Sequence, residues 1–131
     1  MADGSVWETH ARHWSTSSGD DIAWLAVTNG IAGECEGHLA CYLAARNRLH
    51  GEYLRRHPDG RHAAEAVGVV GNTANLLAAP AEPRQAWQFD KRRDCGDLLA
   101  SVEALTAVVT ATRVADRDAT LAGLAALKRM C

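Results

Sequence analysis

Phenylalanine occurs once in this chain and isoleucine twice. A β-sheet, which draws on β-branched and aromatic side chains, therefore has little to be built from. Apolar–polar alternation never holds for more than a handful of residues, so the strand pattern is missing as well. No apolar run approaches the roughly 18 residues of a membrane-spanning helix. Met1 to Ser5 has neither the basic nor the apolar part of an export signal. An excess charge of one sign is also absent. The net charge of −2 gives no general pull towards nucleic acid or an anionic membrane, and neither is expected as a partner. These absences together lead to the expectation of a cytoplasmic protein. In that setting the four cysteines, Cys35, Cys41, Cys95 and Cys131, are expected to be reduced thiols, with Cys131 open to oxidation in air. None of them forms a Cys-x-x-Cys pair, so neither a zinc ribbon nor a redox couple is suggested.

What the chain has is alanine and leucine, 25 and 13 in 131 residues. That excess favours helices packed closely together in one domain, residues 1–131. A first short helix is expected over Ser5–Trp14, with Val6, Trp7, His10, Ala11 and Trp14 on one side. A long helix is expected over Asp21–His57, stopped by Pro58-Asp59-Gly60. Asn29-Gly30 is a candidate interruption, but the apolar phase carries through it. A third helix is expected over Arg61–Ala79, with Val67, Val70, Ala74 and Leu77 on one line. The fourth starts near Pro83 or at Asp94 and reaches about Val114, with Leu98, Val102, Leu105 and Val109 as its core line. Asp116 or Asp118 opens the last, with Leu121, Leu124 and Leu127. Short connections then give an all-α, up-and-down four-helix bundle with a short additional N-terminal helix.

The long segment carries Gly30, Gly33, Gly37, Ala40, Ala44, Asn47 and Gly51 at steps of three and four. On a helix they occupy one narrow arc. Another arc, roughly 150° away, holds Trp24, Ile31, Cys35, Leu39, Tyr42, Leu43, Leu49 and Tyr53. Such a helix is gripped from two directions. Its small side admits a second backbone, within the chain or from another copy.

Chemistry is sought where polar groups enter the bulky arc. Arg46 and His50 lie one turn apart there, flanked by Tyr42 and Tyr53. A buried arginine needs a carboxylate or an anionic ligand beside it. Arg46 would hold a small anion, His50 would act as general acid or base, and Tyr53 would complete the catalytic set. Tyr42, Trp24 and Glu36 would line the pocket, with Glu36 partly buried between the two arcs. Trp7 and Trp14 would close it as an aromatic lid. The metal-like spacings Cys35–His38 and His62–Glu65 do not converge, and no metal or cofactor is expected.

Arg56-His57-Pro58-Asp59-Gly60-Arg61-His62 resembles, over seven positions, the short RNase signature of HEPN domains. Those are also small all-α bundles that commonly dimerise. The resemblance implies an RNase using Arg56 and His62. Against it, Pro-Asp-Gly reads as a turn in the middle of the motif, and the net charge does not suit RNA.

Two readings lead. One is a helical binding or accessory protein, homodimeric, with a pocket between helices. The other is a small cofactor-independent enzyme that binds and transforms a small anionic molecule through Arg46, His50 and Tyr53. The HEPN-like RNase is the third and weaker.

Overall fold

The computed structural model describes residues 18–29, 35–79 and 87–131. The expected first helix, with Trp7 and Trp14, lies outside the described residues. So do Gly30, Ile31, Gly33 and Pro83. What is described is all-α, with no strand among these residues and one isolated bridge, His38 to Gln88.

Helix α1 spans Ser18–Thr28, and its buried residues Gly19, Ala23, Ala26 and Val27 recur at helical spacing. Thr28 and Asn29 side chains bond back to the Leu25 carbonyl, closing the last turn. Helix α2 begins only at Leu39 and runs to Arg46. The single rod expected over Asp21–His57 is thus broken: α1 ends at Thr28, and the next helical stretch starts only at Leu39. Glu36 (φ 51°) and Gly37 (φ 86°) occupy the left-handed region, which no right-handed helix can contain.

A covalent bond makes the break necessary. Cys35 and Cys41 form a disulfide with their Cα atoms 5.5 Å apart. Six residues of α-helix would separate those atoms by about 9 Å along the axis, too far to bridge. A second disulfide joins Cys95 to Cys131. The expectation of reduced thiols is therefore corrected: all four cysteines are paired. Their sulfurs meet because a tight turn brings one pair together and the packing of two helices brings the other.

After α2 the chain widens into a π-helical segment, Asn47–Gly51, before α3, Glu52–Arg56. Leu49, His50 and Gly51 are buried in succession there. Arg55 donates to both the Asn47 side chain (2.9 Å) and its carbonyl (2.7 Å). It thereby satisfies polar groups loosened by the wide turn. Pro58 ends this stretch, as expected.

Helix α4 spans Ala63–Ala78, α5 Lys91–Thr110 and α6 Arg117–Lys128. Asp90 caps α5 by accepting from the Arg92 and Arg93 amides, while Asp94 accepts from the Asp90 amide at 2.8 Å. The core lines are those the periodicity marks. Val67, Val70, Ala74 and Leu77 are buried, as are Leu98, Val102, Leu105, Val109, Leu124 and Leu127. Leu121 is half-buried.

The packing partners depart from the chain order at one place. Helix α4 packs most extensively on α6, α6 on α5, and α5 on α2 and the π segment, which in turn meets α4. So α6 comes between α4 and α5, although those two are consecutive. Helix α1 rests on α3 and the π segment. No helix among the described residues is long and apolar enough to cross a membrane.

Candidate functional site

Two polar places stand out in this frame: an aromatic–histidine cluster under α1, and a cleft between α2 and α5.

The cluster forms because α1 lays its first turns over the end of α3 and the start of α4. Tyr53 is fully buried, and its hydroxyl donates to Asp20 Oδ1 in a short hydrogen bond. The same hydroxyl accepts from the His62 amide at 2.9 Å, and Asp20 Oδ2 accepts from the Arg61 amide at 2.7 Å. Asp21 receives the Arg61 guanidinium and, at 3.0 Å, His62 Nε2. Trp24 stacks flat on the His62 ring, with centroids 5.0 Å apart, and presents its edge to Tyr53 and His50. Burial, then the Asp20 carboxylate, push the Tyr53 hydroxyl well above the ordinary phenol range. It neither ionises near neutrality nor has its proton free. Tyr53 is a tether between α1, α3 and α4.

His50 lies beside it, 8% exposed, and its Nδ1 is buried with no hydrogen-bond partner. Burial first, and then the nearby Arg46 charge, push its imidazolium down to about 4. The ring is neutral at physiological pH. Arg46 is half-buried, and its Nε donates to Thr73 Oγ1 at 2.9 Å rather than to a carboxylate.

The residues expected to form one site are thus distributed. His50, Tyr53 and Trp24 are brought together, with Arg46 at the edge. Tyr42 is elsewhere: its hydroxyl accepts from the Gly37 amide at 3.1 Å, and its ring meets Trp87. Glu36 was expected to be partly buried on a helix and is corrected to an exposed turn residue, because its left-handed backbone ends any helical register. Trp7 and Trp14 lie outside the described residues. Sequence reading missed Asp20 and Asp21 as members of the cluster. Both look like ordinary helix-opening acids, and the Tyr53 partner lies 33 residues away. In the segment resembling the RNase signature, residues 58–62 form turns. Arg56 there bonds to Glu52, and His62 is held by Trp24 and Asp21.

Of three described cavities, two lie away from this cluster and the smallest touches it only through Gly60 and Arg61. A cleft of about 360 Å³ between α2 and α5 is lined by His38, Ala40, Ala44, Asp94, Asp97 and Ser101 among others. A groove of about 720 Å³ runs between α5 and α6, past Leu99, Val102, Glu103, Leu121, Ala125 and Lys128. A smaller one of about 220 Å³ lies by Pro58 and Arg113. None of these three is lined by Arg46, His50 or Tyr53. Among the described residues no three His, Cys, Asp or Glu side chains gather as a metal site requires. Compared with protein-family models, curated proteins and solved structures, the chain matches none of them.

The neutral His50 makes stability depend on acid in a defined window. Its folded value lies below the unfolded one, so between pH 6.5 and 4 the unfolded chain binds a proton that the folded chain refuses. The contribution is complete above about pH 6.5 and is lost as pH falls towards 4, to a ceiling of about 3 kcal/mol. His57 is shifted in the same direction, chiefly by burial, and adds to the slope. Urea unfolding at pH 7.5 and 4.5 should show this loss in the native chain. In His50→Leu most of the difference should vanish; an unchanged slope would contradict the assignment.

Proposed function

We propose that this chain is a binding or accessory protein that pairs with a second copy of itself along the α5–α6 groove. The frame is a four-helix bundle in the spatial order α2–α3, α5, α6, α4, with α1 across one end. The two disulfides fit an oxidising compartment better than the reducing cytoplasm that the composition suggests.

The observation that carries the proposal is the make-up of the groove. Its walls are apolar, Leu99 on α5 is 36% exposed, and its charged members are Glu103 on α5 and Lys128 on α6. Neither charge has an ion pair among the described residues. A two-fold axis brings the same patch of two copies face to face, so each Glu103 would meet the other copy's Lys128. The charges are thereby satisfied twice by one symmetric contact, while the leucines lose their exposure to water. A partner of different charge pattern would need a matching pair of its own; a second copy already has it.

The enzyme reading has less support, because the Tyr53 hydroxyl and the Asp20 carboxylate are already committed to each other. Arg46 and His50 line none of the described cavities.

Sedimentation equilibrium tests the pairing. The native chain should sediment as a concentration-dependent dimer, and Glu103→Lys should weaken it by setting lysine against lysine. The double variant Glu103→Lys/Lys128→Glu should restore it, because the swap preserves the cross-pairing. A monomer at every concentration, or a dimer indifferent to all three changes, would overturn the proposal.

A further inference from the structure

The α2–α5 cleft has the features of a ligand site that the groove lacks. Ser101 projects from the middle of α5 into it. The residue is 6% exposed, and its hydroxyl has no hydrogen-bond partner among the described residues. Facing the cleft rather than another side chain, the hydroxyl is open to a hydrogen-bonding group that enters there.

The walls say of what kind. Asp94, Asp97 and Ser101 lie at positions i, i+3 and i+7 of α5, on one face. The carboxylate of Asp94 is held down to about 2, first by the Arg93 guanidinium and then by the Asp90 amide. It is ionised throughout the working range, with its charge partly shared. Asp97 is exposed at the mouth and has no ion pair among the described residues. Opposite them α2 offers the methyl groups of Ala40 and Ala44, with His38 at the rim. A cavity of about 360 Å³ is at the small end of the usual range for ligand sites.

We propose that this cleft binds a small organic cation, a primary ammonium or guanidinium group on a short alkyl stem. The head would sit between Asp97 and Asp94 and donate an N–H to the Ser101 hydroxyl oxygen. The stem would lie along Ala40 and Ala44. This extends the binding reading but does not need the dimer. The groove uses the Leu99, Val102 and Glu103 face of α5, whereas the cleft uses Asp94, Asp97 and Ser101.

The test is a titration followed by amide chemical shifts, with n-butylammonium and n-butylguanidinium as probes. Butanol and butanoate serve as neutral and anionic controls. Saturable shifts are expected at Ala44, Asp97 and Ser101 for the cations alone. Asp97→Asn should weaken binding about tenfold, the equivalent of one charge-assisted hydrogen bond. Ser101→Ala should weaken it by a smaller factor without harm to folding, since it replaces a buried hydroxyl by a methyl group. The inference is overturned if no probe binds, if butanoate binds as well as the cations, or if Asp97→Asn changes nothing. A monomeric protein that binds the cation would remove the dimer proposal and leave this one standing. A dimer that binds neither cation would do the reverse.

Discussion

Replacing Cys95 and Cys131 together by serine should lower the unfolding free energy by about 4 kcal/mol. The bond closes a loop with a sequence separation of 36, tying the first turns of α5 to Cys131, three residues past the end of α6. In the chain-entropy account, opening such a loop releases conformational freedom in the unfolded chain, which favours unfolding. The Cys35–Cys41 bond closes only six residues, so its removal should cost about 2 kcal/mol by the same relation. The singles Cys95→Ser and Cys131→Ser should each cost as much as their double, because either one breaks the same bond. Urea unfolding with and without a strong dithiol reductant checks this: the reductant should bring the native chain close to the variants. A native chain indifferent to reductant, with inert serine variants, would mean that the thiols are free.

That bond also shows why part of the fold was readable in the sequence and part was not. Helical periodicity is local, and Val67-Val70-Ala74-Leu77 or Leu98-Val102-Leu105-Val109 can be recognised without knowing what they face. A disulfide between Cys95 and Cys131 depends on α5 and α6 lying side by side, which no local pattern encodes. The break at Glu36-Gly37 was hidden for a related reason. Apolar residues on both sides of it are buried, and alanine and leucine keep a helical rhythm whether or not the backbone between them turns left. The Tyr53–Asp20 tether joins residues that each looked ordinary in place, a helical tyrosine and a helix-opening acid. The cleft stayed hidden because Asp94 and Asp97 have the appearance of solvated first-turn carboxylates. Only the position of Ser101 against α2 gives them an interior.

The row of small residues does mark a close approach on the expected rod, at Gly51, where an added Cβ would lie 3.2 Å from Leu105 Cδ2 on α5. Of the row on the expected long rod, Gly37 lies in the turn, and only Ala40, Ala44, Asn47 and Gly51 are on α2 and the π segment. Backbones approach closely elsewhere too, between α4 and α6, where Gly71 faces Thr120 and Gly123 faces Ala74 and Asn75. In sequence the whole of α5 lies between the members of these pairs, so neither announces the other.

Gly71→Val should therefore destabilise the protein by about 3 kcal/mol, the upper end of the overpacking range. A Cβ at Gly71 would overlap Thr120 Oγ1 and lie 3.3 Å from its Cβ and 3.4 Å from its Cα. Thr120 cannot swing away without loss, because its buried hydroxyl donates to the Val67 carbonyl at 3.0 Å. The choice is between breaking that bond and moving α6 off α4, which strips contacts along the whole seam. Gly71→Ala carries the same conflict in milder form, offset by the gain of about 1 kcal/mol in helix propensity. Gly68, on the same helix, supplies the control: it is exposed, and a Cβ there meets nothing within 4 Å. Gly68→Ala should stabilise the protein by about 1 kcal/mol. Adding Thr120→Ala to Gly71→Ala should recover part of the loss, as a positive coupling in the double-mutant cycle. Urea midpoints measure all of these. If alanine at positions 68 and 71 acts with the same sign and size, α4 and α6 do not meet at Gly71, and the close seam is wrong.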